Sequence, residues 1–199
     1  VIRKVQDVFP TTLEVALGGL SLAVIMGVPI GVISALKRDS FFDHATRLLT
    51  LYLHSNPGFW LALLFQLVLG LWLGLVPISG RSPPGFRLTE ITGMYVLDSI
   101  LTFNFKALGQ SLSYLFLPCF VIGITSVPYL SRLTRAAMLN ILGDDYITTA
   151  RAKGLPSRVI TYKHAFRNAM LPVITSVGGS FTGLLGGTVI TERIFALPG

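Results

Sequence analysis

Four apolar runs, each close to the length of a bilayer crossing, constrain this chain more than any other feature. They are Leu13–Leu36, Pro57–Pro77, Ser111–Ser131 and Leu171–Thr191. A helix that crosses the hydrocarbon core needs about 20 predominantly apolar residues. The expected fold is therefore all-α: a polytopic transmembrane helical bundle, with an approach segment over residues 1–12 and a transmembrane domain over residues 13–199. Composition agrees. Only 13% of the 199 residues are charged, against about 25% in a typical soluble domain.

The formal net charge of +7 raises the question of a nucleic-acid partner, but the basic residues stand between the apolar runs. That pattern is topogenic, because Lys and Arg are retained in cytoplasmic loops. Residues 37–56 carry Lys37, Arg38 and Arg47 against Asp39 and Asp43. Residues 78–110 carry Arg81, Arg87 and Lys106 against Glu90 and Asp98. Residues 132–170 carry Arg132, Arg135, Arg151, Lys153, Arg158, Lys163 and Arg167 against only Asp144 and Asp145. This last segment reads as the cytoplasmic region. Alternation then places 37–56 on the same side, and 1–12, 78–110 and the C-terminal end outside. Nucleic-acid binding is excluded.

Local signals predict where the helices begin and bend. Thr11 and Glu14 form a T-x-x-E capping box behind Pro10. Ser55 or Asn56 can cap a helix with Pro57 in its first turn, and Pro29 and Pro118 should kink their runs. Small residues recur every four positions at Gly19, Ala23, Gly27, Gly31 and Ala35, and again at Gly179, Gly183 and Gly187. Such stripes let helix backbones approach closely in lipid, so both predict packing within the bundle, or a pathway or subunit interface. Beyond the first turn no run holds Lys, Arg, Asp, Glu or His, as an ion pump or proton-coupled transporter would require. The energy source must lie elsewhere.

The basic segment is sharply punctuated. Gly143 can end the helix that leaves the third run. Asp144 or Asp145 can cap the next one. Lys153 falls in its last turn, Gly154 stops it and Pro156 prevents its resumption. Isolated helices shorter than ~12–15 residues are marginal in water, so this one must rest on something. Ile147, Ala150, Arg151 and Gly154 share one face, shallow enough to enter a groove on a partner; an alternative is an amphipathic loop on anionic lipid. Ser157 is then the expected cap of an amphipathic helix with Val159, Tyr162, Phe166, Ala169 and Met170 on one face.

This segment resembles the "EAA" coupling region of ABC-importer permeases, in particular the dipeptide/oligopeptide/nickel family. The resemblance rests on Asp145-Tyr146, "TARAKGL" at Thr149–Leu155 and "HAFRNAMLPVIT" at His164–Thr175. Further matches are "FPTTLEVAL" at Phe9–Leu17, "GVPIGVISAL" at Gly27–Leu36, "FWLALL" at Phe59–Leu64, "LVPISGR" at Leu75–Arg81, "TGMYVLDSIL" at Thr92–Leu101 and "TERIFALPG" at Thr191–Gly199. Thr148 and Thr149 stand where the general motif opens with Glu-Ala. The resemblance implies a type I ABC importer permease fold, with the family's first and last spans lying outside this stretch. It implies that Asp145, Tyr146, Ile147, Thr149, Ala150, Arg151, Lys153 and Gly154 form a coupling helix. Two homologous permease subunits, two ATPase subunits and an extracellular or periplasmic binding protein would make up the importer, in the plasma (inner) membrane of a prokaryote. Cofactors are not expected in this chain; ATP and Mg would sit on the ATPases.

The chain carries no G-x-x-x-x-G-K-[ST] phosphate loop, so ATP is not bound here in that way. Its three histidines, His44, His54 and His164, are scattered, and Cys119 stands alone. An enzyme needs a convergent constellation, and no metal-ligand spacing appears; a membrane enzyme or autonomous channel is the competing class. Within the importer reading, peptide is favoured over nickel because neither Met nor His clusters on a face.

Overall fold

The computed structural model describes residues 2–86 and 88–198. Val1, Arg87 and Gly199, which figure in the segments above, lie outside the described residues. Helices make up all the regular structure among them: α1 (Ile2–Leu36), α2 (Phe41–Ser55), α3 (Gly58–Phe65, continued by a π-helical turn at Gln66–Trp72), α4 (Tyr95–Leu101), α5 (Phe105–Leu142), α6 (Asp145–Ala152), α7 (Ser157–Val159, continued by a π-helical turn at Ile160–Phe166), α8 (Arg167–Gly187) and α9 (Val189–Ile194).

Three stretches are long and apolar enough to cross a membrane: Val8–Leu36, Phe105–Leu142 and Ser157–Gly187. The predicted runs are cores of longer helices, because a helix does not end where hydrophobicity ends. The second run behaves differently. Its helix stops at Trp72, and only together with α2 does it reach the length and apolarity of a broken span. Residues 41–55, read above as cytoplasmic loop, are helical.

Several local expectations are corrected. α1 starts well before Thr11, so Thr11 and Glu14 cap nothing in their own helix. Pro57 itself occupies the cap position of α3, and the Ser55 hydroxyl donates backward to the Leu51 carbonyl (2.9 Å). Pro156, not Ser157, precedes α7. The last helix breaks at Thr188, whose hydroxyl donates to Glu192 Oε1 (2.9 Å).

The chain folds as two compact units, 1–22 with 56–124 and 181–199, and 23–55 with 125–180. In the first, Val15, Ala62, Leu115, Leu117, Val121, Ile122 and Phe195 form the core, and Phe65 meets Phe120 edge-on at 5.2 Å. Gln66 Nε2 donates to the Ile78 carbonyl (2.7 Å), and the Gly80 N–H donates to the Phe195 carbonyl (2.8 Å). In the second, Val32, Ala35, Ala137, Met138, Ile147, Ile160, Ala165 and Ala169 cluster.

The two small-residue stripes part company. On α1, Gly27 and Gly31 lie hard against α5: a Cβ at Gly31 would stand 2.6 Å from both the Ser131 carbonyl oxygen and Thr134 Cβ. On α8, Gly179, Gly183 and Gly187 have nothing within 4 Å of such a Cβ. The stripe on α8 therefore packs against no other part of the described chain. Gly31→Ala should destabilise by about 1–3 kcal/mol through overpacking against backbone that cannot yield. Gly183→Ala should leave the chain's own stability unchanged or slightly raised, since Ala is the better helix former. Thermal unfolding in detergent checks the contrast; equal effects of the two would contradict it.

Candidate functional site

The punctuated helix forms where its signals place it. α6 starts after Asp144, whose backbone is extended (φ −71°, ψ 149°), although its side chain makes no capping bond; the Asp144 carbonyl accepts from the Ile147 and Thr148 N–H groups (3.1 and 3.3 Å). Asp145 in the first turn and Arg151 in the last complement the helix dipole. Lys153 is the C-terminal cap, and Gly154 follows with φ +75°. The Gly154 N–H donates to the Arg151 carbonyl (2.9 Å) and the Leu155 N–H to the Ala150 carbonyl (3.3 Å). These two bonds constitute a Schellman motif, which satisfies carbonyls at the helix end and calls for a left-handed residue where Gly154 stands.

What supports α6 differs from the expectation. Ile147 is 0% exposed and Ala150 8%, both inside the cluster built from α1, α5 and the segment after α7. They anchor α6 to its own chain and do not belong to a face offered outward. The outward surface consists of Asp144, Asp145, Tyr146, Thr148 and Thr149, then the unbroken exposed run 151–158. It is acidic at one end and basic at the other, with Arg151, Lys153 and Arg158 close together in sequence. Thr149 Oγ1 turns back to the Asp145 carbonyl (2.9 Å), and the Tyr146 hydroxyl accepts from Asn168 Nδ2 (2.9 Å).

The stripe expected after Pro156 forms, except at Tyr162. Ala169 is buried and Val159, Phe166 and Met170 are partly buried, Phe166 and Met170 against the cluster that Ile160 and Ala165 also join, whereas Tyr162 is 63% exposed. Tyr162 lies in the π-helical turn at Ile160–Phe166, whose wider spacing departs from the α-helical period on which the stripe was drawn. Lys163 and Arg167 are exposed and His164 is half-buried.

A second constellation, in the other unit, escaped the sequence reading. Glu14 of α1 is 7% exposed. Its Oε2 accepts from Arg81 Nη2 (3.1 Å) and its Oε1 from the Val96 N–H (2.6 Å), so it caps α4, eighty-two residues away. Arg81 Nη2 also donates to the Gly93 carbonyl (2.5 Å), and its guanidinium lies 3.7 Å from the centre of the Tyr95 ring, a cation–π contact. Asp98 gathers the same loop. Its carboxylate accepts from the Ile91, Thr92 and Gly93 N–H groups and the Thr92 hydroxyl at 2.7–3.1 Å. Burial alone would raise the Asp98 pKa; the bonds from Thr92, Ile91 and Gly93 outweigh it and hold the carboxyl below its ordinary value. The available signal was a lone carboxylate near an apolar run and a lone arginine in a Gly/Pro-rich loop. Neither names its partner.

No group of three or more metal-ligating side chains occurs among the described residues. The two constellations are an exposed helix end and a braced loop; neither holds a nucleophile paired with a base.

Residues 27–199 match the family described as "Binding-protein-dependent transport system inner membrane component". The chain is 38% identical, over its full length, to the dipeptide transport system permease protein DppB of Alkalihalophilus pseudofirmus, covering 60% of that protein. It is 39% identical over 96% of its length to the di/tripeptide transport system permease protein DppB of Pseudomonas aeruginosa, covering 57% of it. It is also 38% identical over its full length to the probable D,D-dipeptide transport system permease protein DdpB of Escherichia coli, covering 59%. The chain thus spans about three fifths of the length of the curated relatives it matches. Matched from Gly27 onward and built of long apolar helices, the chain belongs to the family of binding-protein-dependent transport system inner membrane components.

Proposed function

We propose that this chain is the transmembrane core of a permease subunit in an ATP-driven importer of dipeptides or short oligopeptides, and that α6 with the turn after it is the element a separate ATPase subunit grips. The relatives' names supply the substrate class. The observation that carries the coupling role is the construction of α6. Ile147 and Ala150 fix it to the core while residues 151–158 stand exposed beside it. A lever needs both: a rigid attachment to what it moves and a free surface for what pushes it. Asp145, Tyr146, Thr149, Arg151, Lys153 and Gly154 would meet the ATPase, and Ile147 and Ala150 would transmit its displacement inward. ATP and Mg would be held by the two ATPase chains. A second homologous permease subunit would complete the pathway, with the open Gly179/Gly183/Gly187 face of α8 available to it. A binding protein would deliver peptide from outside.

Reconstitution tests this reading. The full-length permease, its sister subunit, both ATPases and the binding protein are placed in proteoliposomes with labelled dipeptide. Accumulation that requires ATP and the binding protein, and that Arg151→Glu abolishes without loss of the assembled permease pair, is the expected result. Accumulation independent of the ATPases would overturn it in favour of an autonomous channel.

A further inference from the structure

We infer that Asn168, in the first turn of α8, is a positioning residue for the coupling stroke, an inference that rests on the coupling role proposed above for α6. By holding the Tyr146 hydroxyl it fixes how α6 is rotated on its seat, so that a push on α6 moves α8 and does not roll the short helix in place. Asn168 Nδ2 donates to the Tyr146 hydroxyl oxygen (2.9 Å), 22 residues away. The next residue, Ala169, is 1% exposed, within the cluster that also takes Ile147 and Ala150. The first turn of α8 thus serves α6 with two neighbouring residues of different chemistry, an apolar one in the core and a polar one at its edge.

The polar contact matters because the apolar one is narrow. α6 has eight residues, little more than two turns. Ile147 and Ala150 stand about 60° apart around its axis, and the alanine offers a single methyl group. Dispersion contacts are individually small and carry no direction, so a helix seated on such a stripe can rock about it. Tyr146 lies about 40° beyond Ala150, on the side away from Ile147. A hydrogen bond there widens the base to about 100°. It also adds a directional restraint, since such bonds weaken steeply as they bend. Arg151 and Lys153, which the ATPase would press, lie at the other end of the same helix and are exposed. Rolling of α6 would therefore dissipate their displacement before it reached α8. α8 belongs to the Ser157–Gly187 stretch that is long and apolar enough to cross a membrane, so a rigid α6–α8 joint passes motion from an exposed surface to a spanning helix.

The test is the amount of labelled dipeptide accumulated per ATP hydrolysed by the assembled importer in proteoliposomes. Asn168→Ala should lower that ratio about fivefold, an effect of the size that changes along a coupling path produce. ATPase co-purification and the thermal transition of this variant should stay near wild type, because the exposed groups it separates regain water. Tyr146→Phe removes the hydroxyl alone and should lower the ratio similarly. The double variant should fall no further, since both changes delete one bond. Asn168→Asp should keep the ratio high, its carboxylate accepting from the Tyr146 hydroxyl, but not when combined with Tyr146→Phe. A merely structural role for Asn168 would not show this dependence on the hydroxyl. A wild-type ratio in Asn168→Ala would overturn the inference, as would loss of ATPase co-purification in that variant, which would make Asn168 a support for docking and not for transmission. Arg151→Glu is measured alongside. If it abolishes uptake while Asn168→Ala is normal, the positioning role alone falls; normal uptake in both would remove the coupling role of α6 as well.

Discussion

Replacing Arg135 by alanine is expected to cost about 3–5 kcal/mol, the range for breaking a buried ion pair and leaving one charge uncompensated. Asp43 is wholly buried, and the Arg135 side chain is 20% exposed. Their contact is bidentate, two N–H groups of one planar guanidinium meeting both carboxylate oxygens, the geometry in which Arg surpasses Lys. Once Arg135 is gone, Asp43 keeps the Ser34 hydroxyl and the Asp39 N–H (3.0 Å). Arg47 is no substitute, because its Nε is 4.0 Å away and its side chain 45% exposed. Asp43→Ala should also destabilise, and the double variant should lose less than the sum of the two, since deleting both charges removes the stranded one. Thermal unfolding of the detergent-solubilised permease reads all three. A wild-type transition for Arg135→Ala would show that the pair holds nothing together. Arg135→Lys should recover only part of the loss, because an ammonium cannot form both parallel bonds.

Gly154→Val is expected to abolish ATP-driven peptide accumulation while the permease still inserts and pairs. At φ +75° a β-branched residue is a true steric outlier, and holding it there costs roughly 1–3 kcal/mol. The cheaper response is to give up the Schellman bonds from Gly154 to Arg151 and from Leu155 to Ala150, unwinding the last turn of α6. That turn carries Arg151 and Lys153, so the surface proposed to meet the ATPase loses its shape. A Cβ at 154 meets nothing within 4 Å, hence the defect arises from backbone conformation and not from a clash inside the chain. Gly154→Asn separates the two causes. Asn tolerates the left-handed region and should restore most of the uptake despite its larger side chain, whereas a purely steric block at the partner would leave Asn as damaging as Val. ATPase co-purification and peptide-stimulated hydrolysis in proteoliposomes are the measurements. Normal values of both for Gly154→Val would remove α6 from the coupling role.

The residues that were legible one-dimensionally are those whose constraint is local. A left-handed stop at Gly154 followed by Pro156 is written into the backbone preferences of those two residues, and α6 ends where they require. Apolar length likewise announced α1, α5 and α8, because hydrocarbon thickness imposes a minimum run whatever lies beside it. Environment was not legible, because it depends on which other segment arrives. The stripes on α1 and α8 have the same four-residue period, yet a Cβ at Gly31 would run into the α5 backbone and one at Gly183 would meet nothing within 4 Å among the described residues. Glu14 matched a capping box in its own helix and caps α4 instead, since a carboxylate binds whichever buried donors come within reach. Ile147 and Ala150 shared a face with Arg151 by helical period, but only packing against Met138 and Ile160 decided that this face turns inward. Asp43 and Arg135, 92 residues apart, had opposite charges as their only shared signal. Caps, stops and apolar lengths belong to a segment and travel with its sequence; partners, faces and buried charges belong to pairs of segments, and only the tertiary structure pairs them.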